Sequence, residues 1–152
     1  MNSYKKFSKS DYDKYDNKGK QVAIKLITHF GWTLKDDSEA FSDRDLIFTK
    51  DGKDVWVEAE YSPSWKLSYW PRRWGMTCPT RKKKSLAHLY IRTNESQTVA
   101  IVVPMAKVHD APIIIKDTSY TKDETFYSVH IDECDVFDLS EPDKTNNRYI
   151  LS

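Results

Sequence analysis

Apolar residues along this chain fall into short regular patterns separated by polar runs. Between Lys20 and Phe30, Val22, Ala23, Leu26, Ile27 and Phe30 recur at three- and four-residue steps, which predicts an amphipathic helix. Gly31 stands where such a helix commonly stops. Upstream, Tyr12 to Lys20 is polar and reads as irregular; downstream, Trp32 to Leu34 predicts a short strand and Lys35 to Asp43 a loop. Two β-prone runs, Asp45 to Thr49 and Asp54 to Glu60, then flank Lys50-Asp51-Gly52-Lys53. Asp-Gly at that place predicts a hairpin, because the tight turn between twisted strands needs positive φ. Pro63, Pro71 and Pro79 argue against long elements before Lys84. Leu89 to Thr93 and Thr98 to Val103 read as strands, the second apolar enough to be buried on both faces. Pro104 to Val108 predicts a short helix, and Ile113 to Lys116, Phe126 to Ile131 and Val136 to Leu139 predict further strands. With no repeat, low-complexity tract or proline-rich linker, one α/β domain is expected over 18–140, with a flexible arm over 1–17 and a polar tail over 141–152.

The hairpin fixes a register. With a two-residue turn at Asp51-Gly52, residues whose numbers sum to 103 face each other: Lys50 and Lys53, Phe48 and Val55, Asp45 and Glu58. Side chains alternate between faces, so Leu46, Phe48, Val55, Val57 and Ala59 point to the core. Asp45, Glu58 and Glu60 share the other face with Trp56. Opposed like charges weaken a sheet by roughly 0.2–1 kcal/mol, so a compensating cation is a natural explanation of the cluster. Oxygen ligands without His or Cys nearby in sequence suit Mg2+ or Mn2+ rather than zinc. A solvated outer face remains the plain alternative, and a bulged turn would slip the pairing by one residue.

Charge changes the picture locally. The 152 residues carry a net charge of only +1, but between Tyr61 and Asn94 lie Lys66, Arg72, Arg73, Arg81, Lys82, Lys83, Lys84 and Arg92 with no acid. The rest of the chain is acidic in balance, so a global field drawing in nucleic acid is excluded while a local basic stripe is not. Trp65, Tyr69, Trp70 and Trp74 interleave with these cations. Cations neutralise phosphates, and aromatic faces stack on unpaired bases. No stretch approaches the ~20 apolar residues of a membrane helix. The opening MNSYKKFSKS has no apolar core of a secretory signal, and Cys78 and Cys134 read as two reduced thiols. These features point to the cytoplasm.

A helix ending in Gly-Trp, then Asp45, then a hairpin into Val57-Glu58-Ala59-Glu60, resembles the PD-(D/E)XK nuclease superfamily. Pro79-Thr80-Arg81-Lys82-Lys83, Ala87 to Ile91 and Asn94, followed by an apolar strand, are similar to small phage-encoded members. The resemblance covers roughly residues 18 to 131. It implies a restriction-endonuclease-like core with a mixed central β-sheet flanked by helices, and hydrolysis of DNA phosphodiester bonds with Mg2+ or Mn2+. It further implies metal ligation by Asp45 and Glu58, often with the Ala59 carbonyl, in the host cytoplasm if phage-encoded. A homodimer fits the same analogy, since two strands need two sites. Two positions depart from the family. Glu60 stands where the family has Lys, and Gln21 where its helix often carries Glu. Arg81 or Lys82, and after them Lys66, are the candidates to restore the missing charge. Arg72, Arg73 and Arg81 to Lys84 are the candidate phosphate contacts, and Trp56 a wall of the site. The departures also allow a catalytically inactive module of the same fold that binds nucleic acid or a protein.

Other constellations are weaker. His130 and Cys134 have metal-like spacing only on a helix, and their surroundings read as strand and turn. Cys78, in a cationic stretch, is a conceivable nucleophile. Four glycines leave no room for a phosphate-cradling loop.

Overall fold

The computed structural model describes residues 9–36, 46–71, 73–118 and 122–150; within the first of these, nothing is described of the side chains of 9–14, 16 and 36. Helix α1 (Lys9–His29) begins about a turn before Tyr12, so the segment expected to be irregular is helical. Its polar N-terminal half lacks a wide apolar stripe and is held by tertiary contact instead. The Tyr15 ring sits 5.2 Å from that of Tyr61, and the Lys18 ammonium lies 4.9 Å above the same Tyr61 ring. Gly19 permits the approach, because a Cβ there would stand 3.1 Å from the Glu60 carbonyl carbon. The helix stops at His29, and the chain turns away at Gly31, whose φ is +94°.

Among the described residues nine strands follow: β1 (Thr33–Asp36), β2 (Leu46–Lys50), β3 (Lys53–Tyr61), β4 (Met76–Pro79), β5 (Leu89–Thr93), β6 (Val99–Pro104), β7 (Ile113–Lys116), β8 (Glu124–Val129) and β9 (Asp135–Asp138). The β2–β3 turn is built as expected, with φ +51° at Asp51 and +79° at Gly52. Its register obeys the sum of 103 from Lys50↔Lys53 to Leu46↔Val57. Asp45, one step further, lies outside the described residues.

Six strands form a mixed sheet in the order β1-β2-β3-β5-β6-β9, with β3 and β5 parallel and the other neighbours antiparallel. The other three form an antiparallel sheet, β4-β8-β7. The larger sheet is covered on both faces. Val22, Ala23, Leu26 and Ile27 of α1 pack on Phe48, Val57, Ile91, Val102 and Phe137. On the opposite face, Tyr90, Ile101 and Val103 meet Met76, Cys78, Tyr127 and Val129 of the small sheet, together with Met105 and Val108 of α2 (Met105–His109). Burial on both sides is why β6 is almost continuously apolar. The expectation of a central sheet flanked by helices is therefore corrected on one side, where a second sheet and a single short helix take the place of a helical layer. Trp32, at the rim of the first core, is half-buried.

The polar tail docks. The Trp32 indole N–H donates to the Ile150 carbonyl at 3.0 Å, Ile150 is buried, and Arg148 closes on Asp135. No helix among the described residues is long and apolar enough to cross a membrane.

Candidate metal and nucleic-acid site

β3 carries Glu58 and Glu60 on the face turned away from α1. The parallel β3–β5 pairing sets Tyr90 beside Glu58 and Arg92 beside Glu60. Glu58 is buried, which a carboxylate tolerates only when paired. Its partners come from one short segment, the 3-10 turn Thr80–Lys84 and the residue after it. Lys82 Nζ donates to Glu58 Oε2 at 2.9 Å and Ser85 Oγ to Oε1 at 3.3 Å. His109 of α2 lies with Nε2 3.0 Å from the Lys82 carbonyl, tying the turn to the second core.

Glu60 is half-buried. Tyr90 Oη donates to its Oε2, and Arg81 Nη2 stands 3.8 Å from Oε1 while its Nη1 reaches Glu124 at 3.5 Å. Arg92 turns to Ser62, the Thr77 carbonyl and the Thr77 hydroxyl. The patch is thus a run of alternating charge (Lys82, Glu58, Arg81, Glu60) between the two sheets. Trp56 shares the Glu58 face and its backbone bridges to His88: the amide donates to His88 Nδ1 at 2.9 Å, and its carbonyl accepts from the His88 amide at 2.7 Å.

Of the residues singled out in the sequence, the structure brings together Glu58, Glu60, Lys82 and Arg81. Lys66 is not with them; its ammonium is 3.6 Å from Glu95. Gln21 is exposed on α1, with no hydrogen bond to either carboxylate among the described residues. Arg73, Lys83 and Lys84 are exposed, as a phosphate-contacting set requires; Arg72, like Asp45, lies outside the described residues. Comparison with protein-family models, with curated proteins and with solved structures gives no match. The site therefore stands on its geometry alone.

Ser85, Tyr90 and Glu124 are participants that sequence reasoning missed. Tyr90 could have been found only from the parallel pairing of β3 with β5, which no local pattern encodes. Among the described residues no three His, Cys, Asp or Glu side chains gather closely enough to hold a metal ion. Cys78 is no nucleophile. It is fully buried, and burial, reinforced by the Glu60 charge, pushes its thiol up to about 12. His130 caps a 3-10 turn, its Nδ1 accepting from the Asp132 amide, and the buried Cys134 thiol donates to the His130 carbonyl at 3.7 Å; they form no ligand pair.

Proposed function

We propose that this chain is a divalent-metal-dependent nuclease of the PD-(D/E)XK type, with a restriction-endonuclease-like core, that hydrolyses DNA phosphodiester bonds. The observation carrying the reading is the Lys82–Glu58 contact at 2.9 Å. It puts an ammonium against the carboxylate that would hold the metal, two residues before Glu60, the position at which the family carries its lysine. The cation lost from β3 is supplied by the neighbouring 3-10 turn.

The described register runs to Leu46↔Val57; continued by one residue it would set Asp45 opposite Glu58, a pair of oxygen donors suited to Mg2+ or Mn2+. Asp45 and Glu58 would hold the ion. Bound there, it would supply an acidified water and charge neutralisation at the phosphate. Lys82 places its positive charge where negative charge develops on the phosphoryl oxygens. Glu60, oriented by Tyr90 and Arg81, is positioned to accept a proton from the attacking water. Arg73, Lys83 and Lys84 hold the DNA backbone outside the patch, sequence-independently and with affinity falling as salt rises.

The test is cleavage of single- and double-stranded DNA with Mg2+, Mn2+ or EDTA, run beside Asp45→Ala and Lys82→Ala. Metal-dependent cutting is expected from the parent, none from Asp45→Ala, and a loss of about 10²–10³ from Lys82→Ala with metal binding retained. Unchanged cutting in Asp45→Ala sinks the assignment. A second reading, a module that binds nucleic acid without turnover, draws on the same contact: both Glu58 oxygens are already engaged, by Lys82 and Ser85. It expects salt-sensitive DNA binding that Mg2+ does not alter.

A further inference from the structure

β7 is an edge strand of the small sheet with nothing on its outer side among the described residues. It reads Ile113-Ile114-Ile115-Lys116, and the three isoleucines are 59%, 38% and 66% exposed. Soluble proteins usually blunt such an edge with charge, proline or a bulge, since its free backbone groups template another strand. Here the charge comes only at the end of the strand, and Pro112 precedes it.

The hydrogen-bond phase of β7 follows from one contact. Ser128 N donates to the Pro112 carbonyl at 2.8 Å, so Pro112 and Ser128 form a hydrogen-bonded position of the β7–β8 ladder. Antiparallel positions alternate. With the register Ile113↔Tyr127 to Lys116↔Glu124, Ile114 turns its N–H and C=O to β8, while Ile113 and Ile115 turn theirs outward. Pro112 faces β8 and withholds no donor from the edge. The free edge thus offers two N–H and two C=O groups, at residues two apart.

That spacing is self-complementary. We infer that β7 pairs antiparallel with β7 of a second copy of this chain, Ile113 opposite Ile115 of the other copy and Ile114 on the two-fold axis. Four backbone hydrogen bonds close the pair and join the two small sheets into one of six strands. Ile113 and Ile115 share the sheet face of Tyr127 and Cys78, whose side chains are buried in the second core, and they extend that apolar face beyond its rim. Pairing brings four isoleucines together there, with the two copies of Ile114 meeting on the opposite face. Charge agrees with the register. Lys116 falls opposite Pro112 of the other copy, two residues in sequence from that copy's exposed Asp110, and the same arrangement repeats at the other end. No like charges oppose each other, whereas a register centred on Lys116 would stack two ammonium groups. This pairing is independent of the nuclease reading.

Sedimentation and a cysteine reporter test it. The mass of the parent chain should rise with concentration from 17.8 kDa towards twice that value, and the Ile113→Lys/Ile115→Lys double variant should remain monomeric with unchanged circular dichroism. Ile114→Cys should form a disulfide-linked dimer on mild oxidation, because its partner across the axis is itself, at a Cα separation a disulfide can span. Ile113→Cys should not, being displaced from its own symmetry mate. The native Cys78 and Cys134 are buried and do not compete. If the lysine variant fails to fold, the two cysteine variants decide. A parent chain that stays monomeric to about 1 mM, or equal cross-linking of Ile113→Cys and Ile114→Cys, overturns the pairing. So does a monomer that instead captures a synthetic extended peptide along β7, which would assign the edge to a different partner.

Discussion

Two carboxylates are buried among the described residues, Asp135 at 2% exposure and Glu58 at 6%, and their surroundings differ in kind. Asp135 is held by the chain itself: it accepts from the backbone amides of Arg148 and Tyr149 at 2.7 and 3.2 Å, and from Arg148 Nε at 3.0 Å. Arg148 goes on to the carbonyls of Cys134 and Asp132, so one carboxylate fastens the C-terminal segment to β9. Glu58 has no such backbone support. An ammonium and a hydroxyl, both on side chains of one neighbouring segment, satisfy it. Backbone donors cannot leave without unfolding, whereas side-chain donors can rotate away. One buried carboxylate is fastened by backbone amides; the other is held by side chains alone.

The contrast can be broken by measurement. On the nuclease reading proposed above, the largest expected effect is on chemistry: Glu58→Gln should lower metal-dependent cleavage by about 10³-fold or more while changing stability by less than about 1 kcal/mol, because Lys82 can extend its charge to water. Cleavage kinetics and urea unfolding of the same sample check both halves. Asp135→Ala should do the reverse, costing about 2–3 kcal/mol through three lost hydrogen bonds to a charged group, with activity per folded molecule retained. A cycle through Lys82→Met and Glu58→Gln should give a coupling of about 1 kcal/mol, against about twice that for Arg148→Met with Asp135→Asn.

Alkali acts on both regions through the thiols. Burial raises Cys78 and Cys134 to about 12 from the ordinary 9.0, so between those values the unfolded chain loses protons that the folded chain keeps. Stability is therefore unaffected by the thiols below pH 9 and falls above it, by up to about 1.4 kcal/mol per pH unit for each thiol; chemical denaturation across pH 8–11 should show the decline. The smallest effect expected is kinetic. In native protein at pH 8, thiol labelling should be slow for both and faster at Cys78, whose neighbouring 3-10 turn is held by side chains. Faster labelling of Cys134 would reverse the order of the two regions.

Much of this was legible without coordinates. Two-residue alternation and Asp51-Gly52 determined the β2–β3 hairpin, its register and the shared face of Glu58 and Glu60, because those depend only on near neighbours and on which residues tolerate positive φ. The runs of β5, β6 and β7 declared themselves by apolar, β-branched composition. The N-terminal half of α1 did not, since its helicity is decided by Tyr61 and by the close approach at Gly19, far away in sequence. The docking of Ile150 and Arg148 was hidden for the same reason: a polar tail acquires its place only when Trp32 and Asp135 are there to receive it.

For the candidate site the division is equally sharp. Sequence determined which carboxylates share a face, and it named Lys82 and Arg81 as candidates to replace the missing lysine. Only the tertiary structure chose Lys82 for Glu58 and Arg81 for Glu60, sent Lys66 to Glu95, brought in Tyr90 and Ser85, and closed Cys78 to reaction. The reason is physical. Periodicity records which way a side chain points within its own element, but the partner it meets depends on how β3 and β5 pair in parallel across the intervening segment 62–88, which contains β4, and no local preference specifies that pairing.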